Sequence, residues 1–582
     1  MPNLLAMSFE GELAPSFDLS CLRPGGKPPD GWGLGFYPGG EPSAQVLKEA
    51  APQQGSIRGE LVRAWEHLEA SSFVLHMRKA KWGKNCDANT QPFLRSHGGR
   101  DFIVAHGGSL KSRLGLSENP AFEPVGATDT ELVFCELLNR FAKIGAKSIG
   151  DLPTETLLDW FDELNDLGDL SLVLTDGRDL VAYADRNAES HLHLWHLVPP
   201  YGDVVFGDAD LSVDLTSRGM SSRKGVIVSS DPLVAVAHGD PGRVRAVPSW
   251  RTLAPGQMVV VRQGALRTEL DAKAKSTRPS ASRMAVARPL SAPPKSFSVR
   301  HRTVYRYQKP VERSTHVLRL APMHDRLQRL ASHHLHVSVD GVSREFDDVF
   351  GNRVRVVRID TPFTELVIEA RSEVEVTDTD PFSFAAIRER STIPLVWMPW
   401  QHHMLQPFLL PPELPESQLR ELAQYAMTFV ERNDYDLLDT LLDLNTTLFK
   451  EYAYRQGETT LQTSPFDVYT SRKGVCQDFT NLFMCLARLL GVPARYVCGY
   501  VFTGPKHANV RMGEASHAWT QVYLPEVGWR GFDPTNGTVT QTDHVRVAVG
   551  RNYVDATPTS GTLWVGGEGE TLDVDVRVEL RD

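Results

Sequence analysis

Cysteine is scarce in this chain, with six in 582 residues, and they are scattered rather than spaced as a framework. That excludes a disulfide-stapled scaffold and points to a reducing cytoplasm. Positive charge is also in deficit. Against 72 aspartates and glutamates stand 62 lysines and arginines, a net charge of −10. With no basic stripe, nucleic acid is not an expected partner. No apolar run approaches the ~20 residues that a membrane span needs, so no membrane partner is expected. Met1 to Pro15 lacks the basic and apolar regions of a secretion signal. The rest is ordinary globular composition, 41% hydrophobic and 23% charged. At roughly 100–200 residues per domain, this length calls for about three or four domains.

One stretch organises the chain: Lys473-Gly474-Val475-Cys476-Gln477-Asp478-Phe479. After the cysteine, Phe479, Leu482, Phe483, Leu486, Leu489 and Leu490 recur at helical spacing, and Gly491 and Pro493 stop the helix. Cys476 therefore sits at a helix N-terminus, where unpaired N–H groups and the helix dipole favour a thiolate. Gln477 and Asp478 read as first-turn residues that hydrogen-bond locally. Downstream, Ser516-His517-Ala518-Trp519 opens a strand-like run, and Gly528-Trp529-Arg530-Gly531-Phe532-Asp533-Pro534 closes a short strand on an aspartate. Cysteine, histidine and aspartate supply a nucleophile, a base and an orienter. Cys476, His517 and Asp533 are the candidate catalytic residues. Taken singly, each has a plain structural reading; together and in this order they point to acyl transfer. Cys485 and Cys498 read as core.

Residues 1–268 read as one α/β or α+β unit. Strands are expected at Phe73–His76, Phe102–Ala105, Leu170–Leu174, Leu180–Tyr183, Leu192–Leu197 and Val226–Val228, with a closing strand at Met258–Val261 before a Gln-Gly turn. Helices are expected at Gly59–Glu69, Asp129–Phe141 and Glu155–Asn165. Cys21, Cys86 and Cys135 have no base nearby in sequence and read as bystanders.

Six pieces of this half stand in a telling order: Leu4-Leu5-Ala6-Met7-Ser8, Asp30-Gly31-Trp32-Gly33-Leu34-Gly35-Phe36-Tyr37, His76-Met77-Arg78-Lys79-Ala80, Asn89-Thr90-Gln91-Pro92-Phe93, Ala105-His106-Gly107-Gly108-Ser109-Leu110 and Gly126-Ala127-Thr128-Asp129-Thr130-Glu131. Together they resemble the class II glutamine amidotransferase domain. The resemblance implies an N-terminal-nucleophile fold, a four-layer α/β sandwich with two stacked sheets between helices. The family's nucleophile is an N-terminal cysteine, whose place Pro2 holds here. The family's His-Asn-Gly, which supplies an oxyanion-stabilising amide, reads His106-Gly107-Gly108. Arg78 and Asp129 match positions that hold glutamine's carboxylate and ammonium, and Asn89 falls in the same vestigial pocket; the plain alternative is that these are inherited structural ion pairs. This half is expected to be an inactive amidotransferase-like domain that binds, regulates or scaffolds.

Composition shifts at Asp271 to Lys295 to Ala, Ser, Pro, Lys and Arg without apolar period, so 269–295 reads as a linker open to proteases. Residues 296–380 read as an antiparallel β-sandwich. The run from Phe297 to Tyr307 alternates, Pro310-Val311 ends it, and Asp340-Gly341 signals a hairpin turn. His333, His334 and His336 lack the accompanying ligands of a metal site, and no metal or cofactor is expected. Residues 381–415, rich in proline and tryptophan, read as a connector. Helices are expected near Glu416–Glu431 and Asp436–Tyr452, a core over 416–560 and a terminal strand in 561–582.

Two further resemblances follow. His301, Thr303, Tyr305, Tyr307, Pro310-Val311, Ser314, His316 and Asp348-Val349-Phe350-Gly351-Asn352 resemble the β domain that precedes bacterial transglutaminase-like cores. Gly474 to Phe479, Leu489 to Tyr500, Ser516-His517-Ala518-Trp519, Gly531 to Gly537 and Asp543-His544-Val545-Arg546-Val547-Ala548-Val549-Gly550-Arg551 resemble the transglutaminase-like core. The resemblance implies a papain-like fold and chemistry through a thioester on Cys476, with hydrolysis of a peptide, isopeptide or γ-glutamyl amide bond as the leading expectation. The alternatives are an amine-transferring transglutaminase, a glutamine amidotransferase and a non-catalytic scaffold.

Overall fold

The buried run Leu4–Leu13 lies between Gly225–Ser229 and Ala70–Arg78, antiparallel to both. Its apolar side chains on both faces suit a strand covered on both sides. It is the middle of a seven-stranded sheet in the order Trp250–Thr252, His193–Leu197, Gly225–Ser229, Leu4–Leu13, Ala70–Arg78, Gly31–Phe36, Gln45–Ala50. The computed structural model describes all residues except 1–2, 41, 66–67, 81–83, 113, 117–118, 203, 216–222, 237–246, 272–292, 378–390, 505–515, 526 and 582. Pro2 and most of the expected linker therefore lie outside the described residues. The chain divides into two compact units, Met1–Met284 and Ala285–Asp582.

In the first unit a second, six-stranded sheet runs Ala265–Leu270, Met258–Arg262, Asp179–Tyr183, Gly168–Thr175, Arg100–Leu110, Phe93–His97. The two sheets meet through Leu4, Ala6 and Val74 on one side and Ile103, Val173 and Val259 on the other. Helices Asp129–Ile144 and Thr154–Asn165 cover the outer face of the six-stranded sheet with Phe134, Leu138 and Phe161. The opposite outer layer contains a small four-stranded sheet and the short helix Ile57–Ala64, which supply Phe17, Val213 and Val62. The helix expected to reach Glu69 stops at Ala64. Trp65 leaves it to pack edge-on against Phe36, 5.7 Å between ring centres, and the next strand starts at Ala70. After Met258–Arg262 the chain turns at Gln263-Gly264, both at positive φ, into the further strand Ala265–Leu270.

In the second unit Pro310 does not end its strand. Lys295–Leu318 continues for 24 residues, and its pairing with Phe363–Val376 slips between Arg306 and Val311. A bulge at this point tolerates a residue with no N–H to give. The slip divides the strand. Its first half lies between Phe363–Val376 and Thr571–Arg581, and its second between Arg353–Ile359 and Thr559–Gly566. Asp340-Gly341 does not close a hairpin. It joins Gln328–Val337 to Val342–Asp347, which pair with Phe363–Val376 and Arg353–Ile359 and occupy opposite ends of the strand order. Arg355 Nη1 on Arg353–Ile359 donates to the Leu335 carbonyl of Gln328–Val337 at 3.1 Å, so the sheet curls until its edges approach. It encloses Val311, Leu318, Leu335, Val357, Leu366 and Ile368.

The expected connector contains a helix, Pro399–Leu409, with proline at its first turn. Its aromatic residues hold it in place. Phe408 meets Trp529 edge-on at 5.1 Å, and Trp397 Nε1 donates to the Gly491 carbonyl. Helices Glu416–Arg432, Leu437–Glu451, Pro465–Ser471 and Cys476–Leu489 follow. They build one core with a five-stranded sheet in the order Thr538–Val539, Gly528–Asp533, His517–Leu524, Ala494–Val501, His544–Gly550. Among the described residues no helix is long and apolar enough to cross a membrane.

Candidate active site

Cys476 is the first residue of its helix. Phe479, Leu482, Phe483 and Leu486 anchor that helix in the core with no exposed surface. Asp478 turns back and its Oδ2 accepts the Val475 N–H at 2.8 Å, a cap that fixes the entry of the chain. Gly491, at φ 74°, ends the helix in the left-handed conformation that glycine adopts without strain. The segment before the cysteine is fixed as well. Arg472, also left-handed at φ 54°, is buried among the rings of Tyr425, Tyr452 and Tyr469, at 5.1, 4.7 and 5.3 Å.

His517 opens one strand and Asp533 closes its antiparallel neighbour. Both are buried, while Cys476 is partly accessible. His517 Nε2 donates to Asp533 Oδ2 at 2.8 Å. Asp533 Oδ1 accepts the backbone N–H groups of Thr535 and Asn536 at 3.0 and 3.2 Å, and Oδ2 accepts Asn536 Nδ2 at 2.7 Å. A second histidine, His544, brings Nε2 to the same Oδ2 at 3.2 Å. Burial works against ionising Asp533, but His517 and then His544 hold its carboxyl well below the usual range. Burial likewise opposes protonation of His517, but Asp533, followed by Cys476, lifts it to about 10. The candidate base is thus a buried imidazole whose protonated form Asp533 favours, while Cys476 is partly accessible.

Of the three residues singled out in the second unit, the structure joins His517 to Asp533 by a hydrogen bond and sets Cys476 near enough to raise the His517 pKa. His544 lies in the stretch that resembles the transglutaminase-like core, where its sequence gives it no role. Its one signal was its likeness to His517, a histidine at the start of a strand just after polar residues. Cys485 and Cys498 are core residues whose thiols burial pushes up to about 12.

In the first unit Arg78, Asn89 and Asp129 line one cavity of about 160 Å³. Its lining also contains His76, Lys79 and His106, but no cysteine. Arg78 donates to Asn85 Oδ1 at 3.0 Å. Asn89 Oδ1 accepts the Ala127 N–H, and Asp129 accepts the N–H groups of Leu110 and Thr130. Gly108 is at φ 145°, and a β-carbon there would lie 2.1 Å from the Asp169 carbonyl oxygen, whereas one at Gly107 would meet nothing closer than 3.9 Å. Backbone approach therefore explains the glycine at 108, and nothing in the packing requires one at 107. Cys21 and Cys135 are buried with thiols pushed up to about 11, and Cys86 is exposed. Among the described residues no three His, Cys, Asp or Glu side chains converge as a metal site.

Comparison with known proteins matches residues 1–285 to glutamine amidotransferases class-II, 297–375 to the bacterial transglutaminase-like N-terminal region and 423–534 to the transglutaminase-like superfamily. An uncharacterized Mycobacterium tuberculosis protein is 31% identical over 300 residues, 48% of this chain and 92% of its own. YafJ of Escherichia coli, provisionally named a glutamine amidotransferase, is 31% identical over 267 residues, 45% of this chain and 100% of its own. Over its first half the chain belongs to the class II glutamine amidotransferases, and its second half carries a transglutaminase-like core. A solved Cytophaga hutchinsonii structure, provisionally titled a cysteine protease, is 23% identical with a TM-score of 0.41, covering 50% of this chain and 93% of its own. Cys476, His517 and Asp533 all fall inside the transglutaminase-like match, and His544 lies beyond its end at 534.

Proposed function

We propose that the transglutaminase-like core is a cysteine-dependent acyl-transfer enzyme acting on a peptide, isopeptide or γ-glutamyl amide bond. The observation that carries this reading is the hydrogen bond of His517 to Asp533 at 2.8 Å, in one core with Cys476 at a helix N-terminus. With its proton held by His517, the Cys476 sulfur attacks the amide carbonyl carbon. The oxyanion that forms is met by the Cys476 backbone N–H, which as a first-turn amide has no acceptor within its own helix. His517 gives its proton to the departing nitrogen, the C–N bond breaks and a thioester remains. Neutral His517 then takes a proton from water, the resulting hydroxide displaces sulfur, and the carboxylic acid leaves with the starting pair restored, the proton shared between Cys476 and His517. An amine entering in place of water would give a new amide. Asp533 keeps the imidazole oriented throughout.

The amidotransferase-like half serves binding or regulation in this reading. A polar cavity with Arg78 and Asp129 but no lining cysteine suits recognition of an amino-acid-like group without chemistry on it.

The test is alkylation with iodoacetamide across pH, read by peptide mass spectrometry. Selective labelling of Cys476 below pH 7, lost in His517→Ala, is expected. Equal slow labelling of all six cysteines would overturn the reading. Peptides and γ-glutamyl amides, incubated with and without a primary amine, then separate hydrolysis from transfer.

A further inference from the structure

Two histidines converge on one oxygen of Asp533. His517 Nε2 lies 2.8 Å from Oδ2 and His544 Nε2 lies 3.2 Å from it. His544 is 7% exposed, and its other nitrogen, Nδ1, has no hydrogen-bond partner among the described residues. A neutral imidazole carries one N–H. With an acceptor at Nε2 and none at Nδ1, that proton belongs on Nε2, where the carboxylate takes it. The Trp519 indole packs against the His544 ring at 5.2 Å between ring centres, and the same indole lies 5.8 Å from the His517 ring.

The other charged groups around His544 have their own partners. Asp543, its chain neighbour, pairs with Lys295. Arg546, two residues along the strand, pairs with Asp325 through both terminal nitrogens at 2.7 Å. On the adjacent strand, where Val501 pairs with His544, the Tyr500 hydroxyl meets His301. Asp533 is thus the charge that His544 addresses. Asp533 already has Oδ1 tied to two backbone N–H groups. Oδ2, the oxygen that His517 uses, depends on side chains, Asn536 and His544.

We propose that His544 is a positioning residue for the acyl-transfer chemistry, its Nε2–H pinning the Asp533 oxygen that orients His517. The role rests on the reading of Cys476, His517 and Asp533 given above. A carboxylate freed on one side tilts or takes water, and the imidazolium loses its fixed line to the thiol.

The experiment is the pH profile of iodoacetamide alkylation at Cys476 in the full-length protein. Because a hydrogen bond to a charged group is lost, His544→Ala is expected to slow labelling at pH 6 by about tenfold or more and move the profile to higher pH. His544→Phe, a ring without a donor, should behave as the alanine variant does. His544→Gln, whose amide can donate to Oδ2, should restore most of the rate. A merely structural role would lower the melting temperature without moving the profile. Wild-type profiles in the alanine and phenylalanine variants would overturn the proposal, and so would a glutamine variant as slow as alanine. If alanine does not fold, phenylalanine and glutamine decide the matter; if none of the three folds, the role is in folding and the proposal fails. Wild-type protein lacking His517-dependent labelling refutes the acyl-transfer reading itself, which separates that failure from this one.

Discussion

Gly474 lies directly against Asp478: a β-carbon at position 474 would stand 2.8 Å from the Asp478 β-carbon. The same aspartate caps the helix at Val475 N–H, so one close contact and one hydrogen bond set where Cys476 begins its helix. Gly474→Ala is expected to force this segment apart. Overpacking of this kind costs about 1–3 kcal/mol, read as a lower melting temperature, and Cys476 alkylation should slow with it. A variant with unchanged melting and labelling would show that the approach is not needed.

Cys476→Ala should abolish thioester-dependent turnover while leaving the melting temperature nearly unchanged, because the side chain is small and partly accessible. Asp533→Asn should slow turnover less than His517→Ala, since the base remains but loses its orienter. Retained turnover in Cys476→Ala would remove that residue from the mechanism.

The His517–Asp533 pair ties stability to pH. His517 is raised from 6.5 to about 10, so its contribution is complete below pH 6.5 and is lost as pH rises through about 10. Asp533 is lowered from 3.8, so its contribution is complete above that value and is lost in acid. The gap in urea midpoint between wild type and Asp533→Asn should therefore be largest near pH 6 and shrink toward pH 10. An equal gap at pH 6 and pH 10 would contradict this coupling.

Arg472 holds the segment that leads into Cys476 from within a cage of three tyrosines, with its Nη1 donating to the Tyr425 hydroxyl at 2.9 Å. Lysine cannot stack and donate in the same way. Arg472→Lys is expected to lose about 1–2 kcal/mol in denaturant titration and to slow Cys476 labelling. No change in either measurement would assign the cage no part in shaping the site.

Arg78→Ala should weaken binding of L-glutamine or a γ-glutamyl amide to the first unit by tenfold or more in calorimetric titration, with no glutamine hydrolysis in either protein. Unchanged binding would leave Arg78 the structural role that its contact with Asn85 already supports.

Much of this protein was legible along the chain because the signals are local. The cysteine helix carries its period in Phe479, Leu482, Phe483 and Leu486 and its stop in Gly491, so its bounds need no distant partner. The strands at Ala70–Arg78 and Gly168–Thr175 declare themselves as buried apolar runs. Cys476, His517 and Asp533 could be singled out as residue types at element starts and ends. Other features depended on packing that no window of sequence contains. Pro310 stays within a strand because a bulge accommodates it, and Asp340-Gly341 bridges two edges because the sheet curls. The helix Pro399–Leu409 rests on Trp529, more than a hundred residues away. Above all, the sequence determined that a thiol, an imidazole and a carboxylate were present, while tertiary structure decided that a second imidazole joins them. His544 begins a strand placed beside Ala494–Val501 rather than beside its sequence neighbour Thr538–Val539. That non-sequential strand order, set by burial of both sheet faces, brings it to Asp533.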